Sequence, residues 1–351
     1  MKTGVLLINL GSPEAPTAAA VRPYLREFLS DARVIDIPAP LRWLLLNAVI
    51  LPTRPAKSAA AYAQVWMPDG SPLLVHSRAF ADKMERELGE GFVVGLAMRY
   101  GNPSIPSVMD ALLREPLKEL VVVPLYPQYA SSSTGTALEV VMRELATRWN
   151  VPPVRVTAPF HDDPGYLDAM TENAAPRLAA FRPDHVLFSY HGLPERQIRK
   201  SESVPGHCLA ADDSCCATLG AHNAFCYRAQ SFATTRALTA RLGLDPASVS
   251  TAFQSRLGRT PWIKPYTDEV LVRLAKRGVK RLAVFSPSFV ADCLETLEEM
   301  SIRGAETFVE AGGEALELIP ALNAADTWVR AVATWVRPGG GPGAVPAATA
   351  P

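Results

Sequence analysis

A ten-residue stretch occurs twice in related form and constrains the fold more than any other feature. Residues 5–14 read VLLINLGSPE and residues 186–195 read VLFSYHGLPE, with identity at five of the ten positions. In both copies an apolar run ends at glycine, followed two residues later by proline. Such a run is typical of a buried parallel strand that turns sharply as it leaves its sheet. The repeat predicts two similar α/β halves.

Other short apolar runs extend this pattern along the chain. A second matched pair is PLYPQYASSST at 124–134 and FSPSFVADCLE at 285–295. Segments of helical length separate the runs, which indicates parallel strands in two similar α/β halves. Ligands of such folds bind beyond the carboxyl ends of the strands. The predicted strands lie at 4–10, 92–98, 119–125, 154–160, 185–190, 248–254 and 281–287.

The length of 351 residues favours two domains. We expect an N-terminal domain at 1–160 and a C-terminal domain at 161–320. A helix at about 321–336 can pack with the first of these. The remainder, 337–351, is rich in Gly, Pro and Ala and is predicted to be a disordered tail.

Net charge and targeting signals indicate which kinds of partner and which cellular location to expect. Lys plus Arg and Asp plus Glu both number 35, a balance that does not favour binding to nucleic acid. The start, MKTGVLLINLGSPE, is interpreted as a first strand and not as a signal peptide, so we expect a cytoplasmic, reducing location. The longest apolar run, Trp43–Leu51, is too short to span a bilayer. It is either a buried helix or a surface for peripheral contact with the inner membrane.

Ionisable residues follow the strands of the second half. His191 ends the fifth predicted strand, at the position occupied by Leu10 in the first copy. After the seventh strand, Asp292, Glu295 and Glu299 recur at i, i+3 and i+7, which on a helix places them on one face. This face is either a solvated acidic surface or a set of oxygen ligands for a divalent cation beside a base. The sequence has no G-x-S-x-G motif, and no G-x-G-x-x-G follows a strand, so a serine hydrolase and a dinucleotide site are disfavoured.

Four of the five cysteines lie within 207–226 in the spacing C-x6-C-C-x9-C. Four thiolates suit a [2Fe–2S] cluster, whereas structural zinc usually binds C-x2–4-C pairs, which are absent here. Zinc, free thiols and a disulfide remain alternatives, and His207 or His222 could replace one ligand. The cysteines are Cys208, Cys215, Cys216 and Cys226.

Taken in order, several motifs resemble those of the ferrochelatases, enzymes that insert ferrous iron into a porphyrin. The motifs are LLINLGSPE, GSPLLVHSR, LYPQYASSSTG, SYHGLPERQIRK, TAFQSRLGRTPWIKPYTDE and FVADCLETLEEM, and the resemblance extends over about 3–336. It implies two Rossmann-like domains around a porphyrin cleft, as in type II chelatases. It also implies Fe²⁺ and protoporphyrin IX as substrates, in the last step of heme biosynthesis. Coproporphyrin III as the porphyrin and a non-catalytic tetrapyrrole or metal carrier are the alternatives. The oligomeric state is left open.

The resemblance assigns roles by position. His191 matches the catalytic histidine and Glu295 the glutamate that faces it, and Asp292 and Glu299 match a proposed metal path. All four are expected metal-binding residues. Cys293 occupies a position where the family has His or Cys. Some members carry a [2Fe–2S] cluster on an internal segment, which supports that interpretation of the four cysteines. The expected porphyrin-binding residues are Leu10, Tyr62, Ser71, Arg99, Tyr100, Gln254, Ser255 and Trp262.

Overall fold

A computed structural model describes residues 1–209, 214–258 and 260–343. Positions 210–213 of the cysteine segment and 344–351 of the predicted tail lie outside the described residues. The chain forms two compact units. Unit 1 comprises Met1–Tyr126, Ser131–Phe160 and the chain from Asn323 onward, and unit 2 comprises Pro127–Ala130 and His161–Leu322.

Unit 1 alternates strands and helices. Its strands are β1 (Lys2–Asn9), β2 (Phe92–Met98), β3 (Leu117–Pro124) and β4 (Val154–Val156). Its helices up to β4 are α1 (Ala18–Ser30), α2 (Ala39–Leu44), α3 (Leu51–Val65), α4 (Pro72–Leu88), α5 (Ile105–Leu112) and α6 (Thr136–Ala146).

Unit 2 repeats this alternation. Its strands are β5 (His185–His191), β6 (Val249–Gln254), β7 (Arg281–Phe285) and β8 (Ala315–Leu318). Its helices are α7 (Pro164–Phe181), α8 (Glu195–Lys200), α9 (Tyr227–Arg241), α10 (Thr267–Lys276), α11 (Leu294–Thr296) and α12 (Ala305–Glu310). The last helix, α13 (Asp326–Val336), belongs to unit 1.

The two sheets have the same topology. Unit 1 orders its strands β2-β1-β3-β4 and unit 2 orders them β6-β5-β7-β8, with every pairing parallel. Both central strands are buried, because helices cover parallel sheets on both faces. The predicted α/β class with two similar Rossmann-like units is therefore confirmed. The sequence prediction missed β8 and extended β4 to residue 160, four residues past its end.

Helices of both units contain π-helical segments, a conformation often found at functional sites. Ser131–Gly135 precedes α6 after β3, and Leu297–Gly304 joins α11 to α12 after β7. A third segment, Leu45–Ile50, joins α2 to α3. The helix after β7 differs from the sequence prediction. It begins at Leu294, so Asp292 precedes it, and the regular i, i+3, i+7 face does not form.

The α2–α3 region does not form the buried helix that was one interpretation of Trp43–Leu51. Leu41, Trp43, Leu44 and Val49 are exposed apolar side chains. Among the described residues, no helix combines the length and the apolar character that crossing a bilayer requires.

The last described segment of the chain, α13 and the residues after it, packs against the rest of unit 1. Trp328 of α13 stacks on Phe80 of α4 at 5.8 Å between ring centroids. Arg155 donates hydrogen bonds to the carbonyl oxygens of Trp335 and Gly340 at 2.7 and 3.1 Å. Arg337 donates to the Glu87 carbonyl, so the beginning of the predicted tail is hydrogen-bonded to the fold.

Candidate active site

His191 lies at the carboxyl end of β5, and its ring is oriented by its own backbone. The Nδ1 atom is 2.6 Å from the Gly192 carbonyl oxygen. A carbonyl can only accept, so this contact assigns the proton to Nδ1 and leaves the Nε2 lone pair available. The backbone N–H donates to Ser288 Oγ, and the carbonyl accepts from the Tyr227 hydroxyl. The half-buried ring is thus suited to accept a proton at Nε2.

Beside His191 in the sheet, the end of β6 binds the Glu299 carboxylate. Ser255 donates from its backbone N–H at 2.8 Å to Oε1 and from its hydroxyl at 2.5 Å to Oε2. Ser255 has a φ of +67°, in the left-handed region that a side chain rarely adopts. The carboxylate therefore bonds to a turn residue in a strained conformation.

Gln254 connects Glu299 to Glu295. Its Nε2 donates to the Glu295 carbonyl at 2.8 Å and lies 3.4 Å from Glu299 Oε2. Its Oε1 accepts from Ser189 Oγ at 2.8 Å, and Ser189 Oγ also lies 2.8 Å from Thr267 Oγ1. Because the amide oxygen is engaged by Ser189, the amide nitrogen must point toward the two glutamates.

Burial governs the ionisation of Glu299. Desolvation raises the pKa of this carboxyl above its ordinary value, although the Ser255 hydrogen bond acts in the opposite direction. Glu299 therefore takes up a proton more readily than a surface glutamate. Burial likewise raises the pKa of Cys293, with the Glu295 carboxylate adding to the effect. This thiol stays protonated near neutral pH.

Asp292 is buried in a local hydrogen-bond network. Its Oδ1 accepts from Thr296 Oγ1 at 3.0 Å and from the Ala321 N–H at 3.2 Å. Thr296 also accepts from the Cys293 backbone N–H, which completes a capping box at the start of α11. These contacts stabilise the turn that precedes Glu295. The role of Asp292 in a metal path stays a prediction.

In unit 1 the residues after β1 and β2 are the counterparts of the His191 region. Asn9 pairs with Met98, and Tyr190 pairs with Phe253, so Arg99 and Tyr100 correspond to Gln254 and Ser255. Leu10 is half-buried where unit 2 has His191.

An unpredicted carboxylate, Asp31, bonds to Arg99 and Tyr100. Its Oδ2 accepts from Arg99 at 2.6 Å, from the Tyr100 hydroxyl at 2.9 Å and from Thr136 Oγ1. Burial acts to raise the pKa of Asp31, but the hydrogen bonds from Thr136, the Arg33 backbone and Tyr100, with the charge of Arg99, outweigh it and lower that pKa. A half-buried carboxylate with four donors keeps its charge.

The other expected porphyrin-binding residues differ in exposure. Ser71 is buried; it caps α4 by accepting from the Leu74 N–H and contacts Ser12 Oγ at 2.5 Å. Tyr62 is buried edge-on to Trp66. Trp262 is half-buried, with its ring centroid 6.4 Å from that of His191.

The four clustered cysteines are all buried thiols. Cys226 lies in hydrogen-bonding contact with both Cys216 and Cys208, and Cys215 Sγ is 3.7 Å from Cys216 Sγ. Within the described ranges, no three His, Cys, Asp or Glu side chains converge as a metal would require. The thiols instead form a chain of pairwise contacts.

The hydrogen bond between Cys216 and Cys226 shifts the pKa values of these two thiols in opposite directions. The Cys216 thiol lowers the pKa of Cys226 by hydrogen bonding, and the backbone of Ala229 at the start of α9 assists it. The pKa of Cys216 is raised by the same hydrogen bond and by burial, although the Arg228 charge opposes this. Of these two thiols, Cys226 is the more readily deprotonated.

Sequence reasoning identified His191, Glu295 and Glu299 but missed the residues that orient them. Ser189 and Thr267 lie within the quoted motifs but were given no role, and Asp31 lies outside all of them. Ser189 is the one with a visible signal, since it interrupts the apolar β5 at the position of Ile8 in the first copy.

Comparisons with known proteins find relatives along nearly the whole chain. A protein named Ferrochelatase from Coxiella burnetii is 47% identical over 332 residues, 95% of this chain and 92% of that protein. One from Opitutus terrae is 49% identical over 336 residues, 95% of this chain and 96% of that protein. The solved sirohydrochlorin chelatase SirB from Bacillus subtilis subspecies spizizenii, in complex with cobalt, shares the fold with a TM-score of 0.51 at 12% identity, over 94% of this chain and 92% of that one. The family model described as Ferrochelatase matches residues 2–339, and the chain therefore belongs to the ferrochelatase family of metal-chelating enzymes.

Proposed function

We propose that the protein inserts Fe²⁺ into protoporphyrin IX to give protoheme, the last step of heme biosynthesis. The observation that carries this proposal is the His191 ring: Nδ1 is committed to the Gly192 carbonyl, and Nε2 is left to accept a proton. A free-base porphyrin must lose two inner N–H protons as the metal enters. An oriented neutral imidazole is suited to take them, and such transfer typically contributes about 10²–10⁴-fold.

The glutamates have complementary roles in this proposal. Glu299, bound by Ser255 and Gln254, offers oxygen ligands to Fe²⁺ or accepts protons passed from His191. Glu295, placed by the capped turn at Asp292, is the second catalytic group. Asp292 itself belongs to the proposed metal path through this positioning.

The proposed porphyrin-binding residues divide by exposure. Leu10 and Trp262 are half-buried and suit the apolar face of the macrocycle. Arg99 supplies a cation for a propionate, although it is already paired with Asp31. The buried members act by positioning these groups; they are Tyr62, Ser71, Tyr100 and Gln254.

Iron insertion into protoporphyrin IX and coproporphyrin III, measured side by side, tests this proposal. His191→Ala should lower insertion by roughly 100-fold or more, because the base is lost, while porphyrin affinity changes little. The matched control is His185→Ala, at the other end of β5, where the ring contacts Ser250 Oγ. Insertion by His191→Ala within a few fold of wild type would contradict the base assignment, and preference for coproporphyrin III would change the substrate. Porphyrin binding without turnover by the wild type would favour a carrier.

We also propose a [2Fe–2S] cluster at Cys208, Cys215, Cys216 and Cys226. The donor chemistry fits, since four buried thiols lie in one chain of contacts and the Arg228 cation adjoins Cys216. Thiolates must be deprotonated to bind a metal, and the lowered pKa of Cys226 makes it the first candidate. When bound, such a cluster can exchange one electron and hold the segment together. Insertion of iron needs no electron transfer, so the proposed role is structural or redox-sensing.

Anaerobic purification checks the cluster. The protein should be red-brown, with about two irons and two sulfides per chain, as a [2Fe–2S] cluster requires. Replacing any one of the four cysteines by Ser should bleach it, because oxygen is a poor substitute for a soft thiolate. Cys293→Ser is the matched control, since this buried thiol lies outside the 207–226 segment and contacts Glu295. Colourless protein with one zinc per chain would overturn the cluster proposal and leave the ferrochelatase proposal intact.

Two further expectations stay predictions. The exposed side chains of Leu41, Trp43, Leu44 and Val49 support peripheral contact with a membrane surface. A cytoplasmic location stays an expectation from the sequence.

A further inference from the structure

Arg228, in the first turn of α9, is a buried cation that contacts two separate segments. Its side chain is 3% exposed. Nη1 donates to Cys216 Sγ at 3.2 Å, while Nε and Nη2 donate to the Lys264 carbonyl at 3.3 and 3.0 Å. The guanidinium also lies over the Phe232 ring, 4.8 Å from its centroid. The planar fork of arginine suits this double contact, which a lysine ammonium could not make with the same geometry.

Lys264 belongs to the strip of chain at 260–265 that carries Trp262. This strip is joined to the chain after β5, because the Ile263 N–H donates to the Leu193 carbonyl at 3.0 Å. The Glu195 N–H donates back to the Pro261 carbonyl at 3.0 Å. The Lys264 end of the strip is held by Arg228. One side chain therefore connects the cysteine site to the strip beside His191.

The charge of Arg228 has a consequence for any negatively charged group bound by Cys216. A buried guanidinium stabilises negative charge on a sulfur that it contacts, because the surrounding protein screens the attraction weakly. Reduction of a [2Fe–2S] cluster adds one negative charge. A nearby cation therefore favours the reduced state and raises the reduction potential.

We infer that Arg228 is a positioning residue that sets the reduction potential of the cluster and couples the cysteine site to the 260–265 strip. This inference rests on the proposed cluster. The charge accounts for the potential, and the bonds to the Lys264 carbonyl account for the coupling. A change in the redox or assembly state of the cysteine site is thereby transmitted through Arg228 to the strip that carries Trp262.

The two effects are separable by substitution in the full-length, anaerobically purified protein. Arg228→Met removes charge and bonds, so its reduction equilibrium should shift at least about tenfold toward the oxidised state, equivalent to 59 mV for a one-electron couple. Arg228→Lys keeps the charge, so its potential should stay closer to wild type. In both variants the backbone amides of 260–265 should exchange with deuterium faster than in wild type.

Arg236→Met is the matched control. Arg236 lies on the same helix and also contacts Cys216, but through the backbone carbonyl at 3.0 Å. Its loss should shift the reduction equilibrium less than Arg228→Met and leave exchange at 260–265 unchanged. Exchange in β5, the buried central strand of unit 2, checks that each variant is folded, and Arg228→Lys keeps the test available if Arg228→Met does not fold.

The outcomes distinguish this inference from the cluster proposal. Wild-type protein without iron and sulfide would overturn both. A wild-type cluster whose potential and 260–265 exchange are unaffected by Arg228→Met and Arg228→Lys would overturn the role of Arg228 alone. Equal shifts in Arg228→Met and Arg236→Met would also overturn it, since general disturbance of the loop would then explain the change.

Discussion

At the scale of single residues, the acidic groups after β7 are held differently although they look alike in the sequence. Asp292 is buried in the capped turn, and Glu299 accepts three hydrogen bonds from Ser255 and Gln254. Glu295 is half-buried and has its backbone carbonyl bound by Gln254. A side chain that is already oriented needs no reorganisation when it acts, so these neighbours contribute to the site without touching substrate.

Substitution of the two glutamates should separate their roles. Glu295→Gln removes a charge next to the reacting centre, so kcat should fall roughly 100-fold. Glu299→Gln should chiefly raise the KM for Fe²⁺. Glu306→Gln, an exposed carboxylate on α12, is the control and should change neither constant. Small, equal effects at Glu295 and Glu299 would contradict a metal path through these two residues.

The decline of iron insertion at acidic pH provides a second test of the role of Glu299. Burial raises the pKa of Glu299 above the ordinary 4.5, so this proposed iron ligand is protonated at a higher pH than a surface glutamate would be. At low iron concentration, insertion should therefore decline as pH falls through that raised pKa. In Glu299→Gln this part of the decline should disappear, which a pH series of kcat/KM for iron measures.

At the scale of secondary structure elements, the repeated glycine shows why the two strand ends match. Gly11 has a φ of +108°, and a Cβ there would lie 1.8 Å from the Tyr100 carbonyl oxygen. At Gly192 a Cβ would lie 2.8 Å from the Gln254 carbonyl oxygen and 3.1 Å from the Trp262 ring. In both units the glycine that follows the first strand lies so close to the end of the second strand that no side chain fits at its position.

Alanine at these two glycines should have different consequences. Gly11→Ala combines a left-handed φ with a backbone clash, so it should lower the free energy of unfolding by at least about 3 kcal/mol. Gly192→Ala should cost about 1–3 kcal/mol but reduce iron insertion strongly, because Gln254 and Trp262 must move. Urea unfolding and insertion rates measure the two effects. Gly91→Ala, where a Cβ meets nothing within 4 Å, is the control. Similar insertion rates in Gly192→Ala and Gly91→Ala would contradict the role of this close approach.

At the scale of the whole molecule, two sheets of one topology carry different chemistry. The positions at the ends of the first two strands hold Leu10, Arg99 and Tyr100 in unit 1 and His191, Gln254 and Ser255 in unit 2. The arginine of unit 1 is paired with Asp31, whereas the glutamine of unit 2 orients carboxylates. Matching positions of the two units therefore hold different side chains, as expected when copies of one fold take on different functions.

The α/β class, the two similar units and the position of His191 were determined by the sequence itself. Buried parallel strands need apolar residues at nearly every position, and their ends need Gly and Pro, so the pattern is visible without tertiary contacts. The short β4 and β8 were harder to predict, because three or four residues carry too little pattern to mark their bounds.

Only the tertiary structure decided how the functional side chains are held. The π-helical segment after β7 replaced the regular spacing expected of Asp292, Glu295 and Glu299, because backbone hydrogen bonding sets helical phase. The hydrogen bonds of Asp31 to Arg99 and of Arg228 to Cys216 and Lys264 join residues far apart in the chain or on different elements. Local sequence encodes strands and turns through short-range sterics and hydrophobic periodicity, whereas these polar contacts arise only when the folded chain brings distant residues within hydrogen-bonding distance.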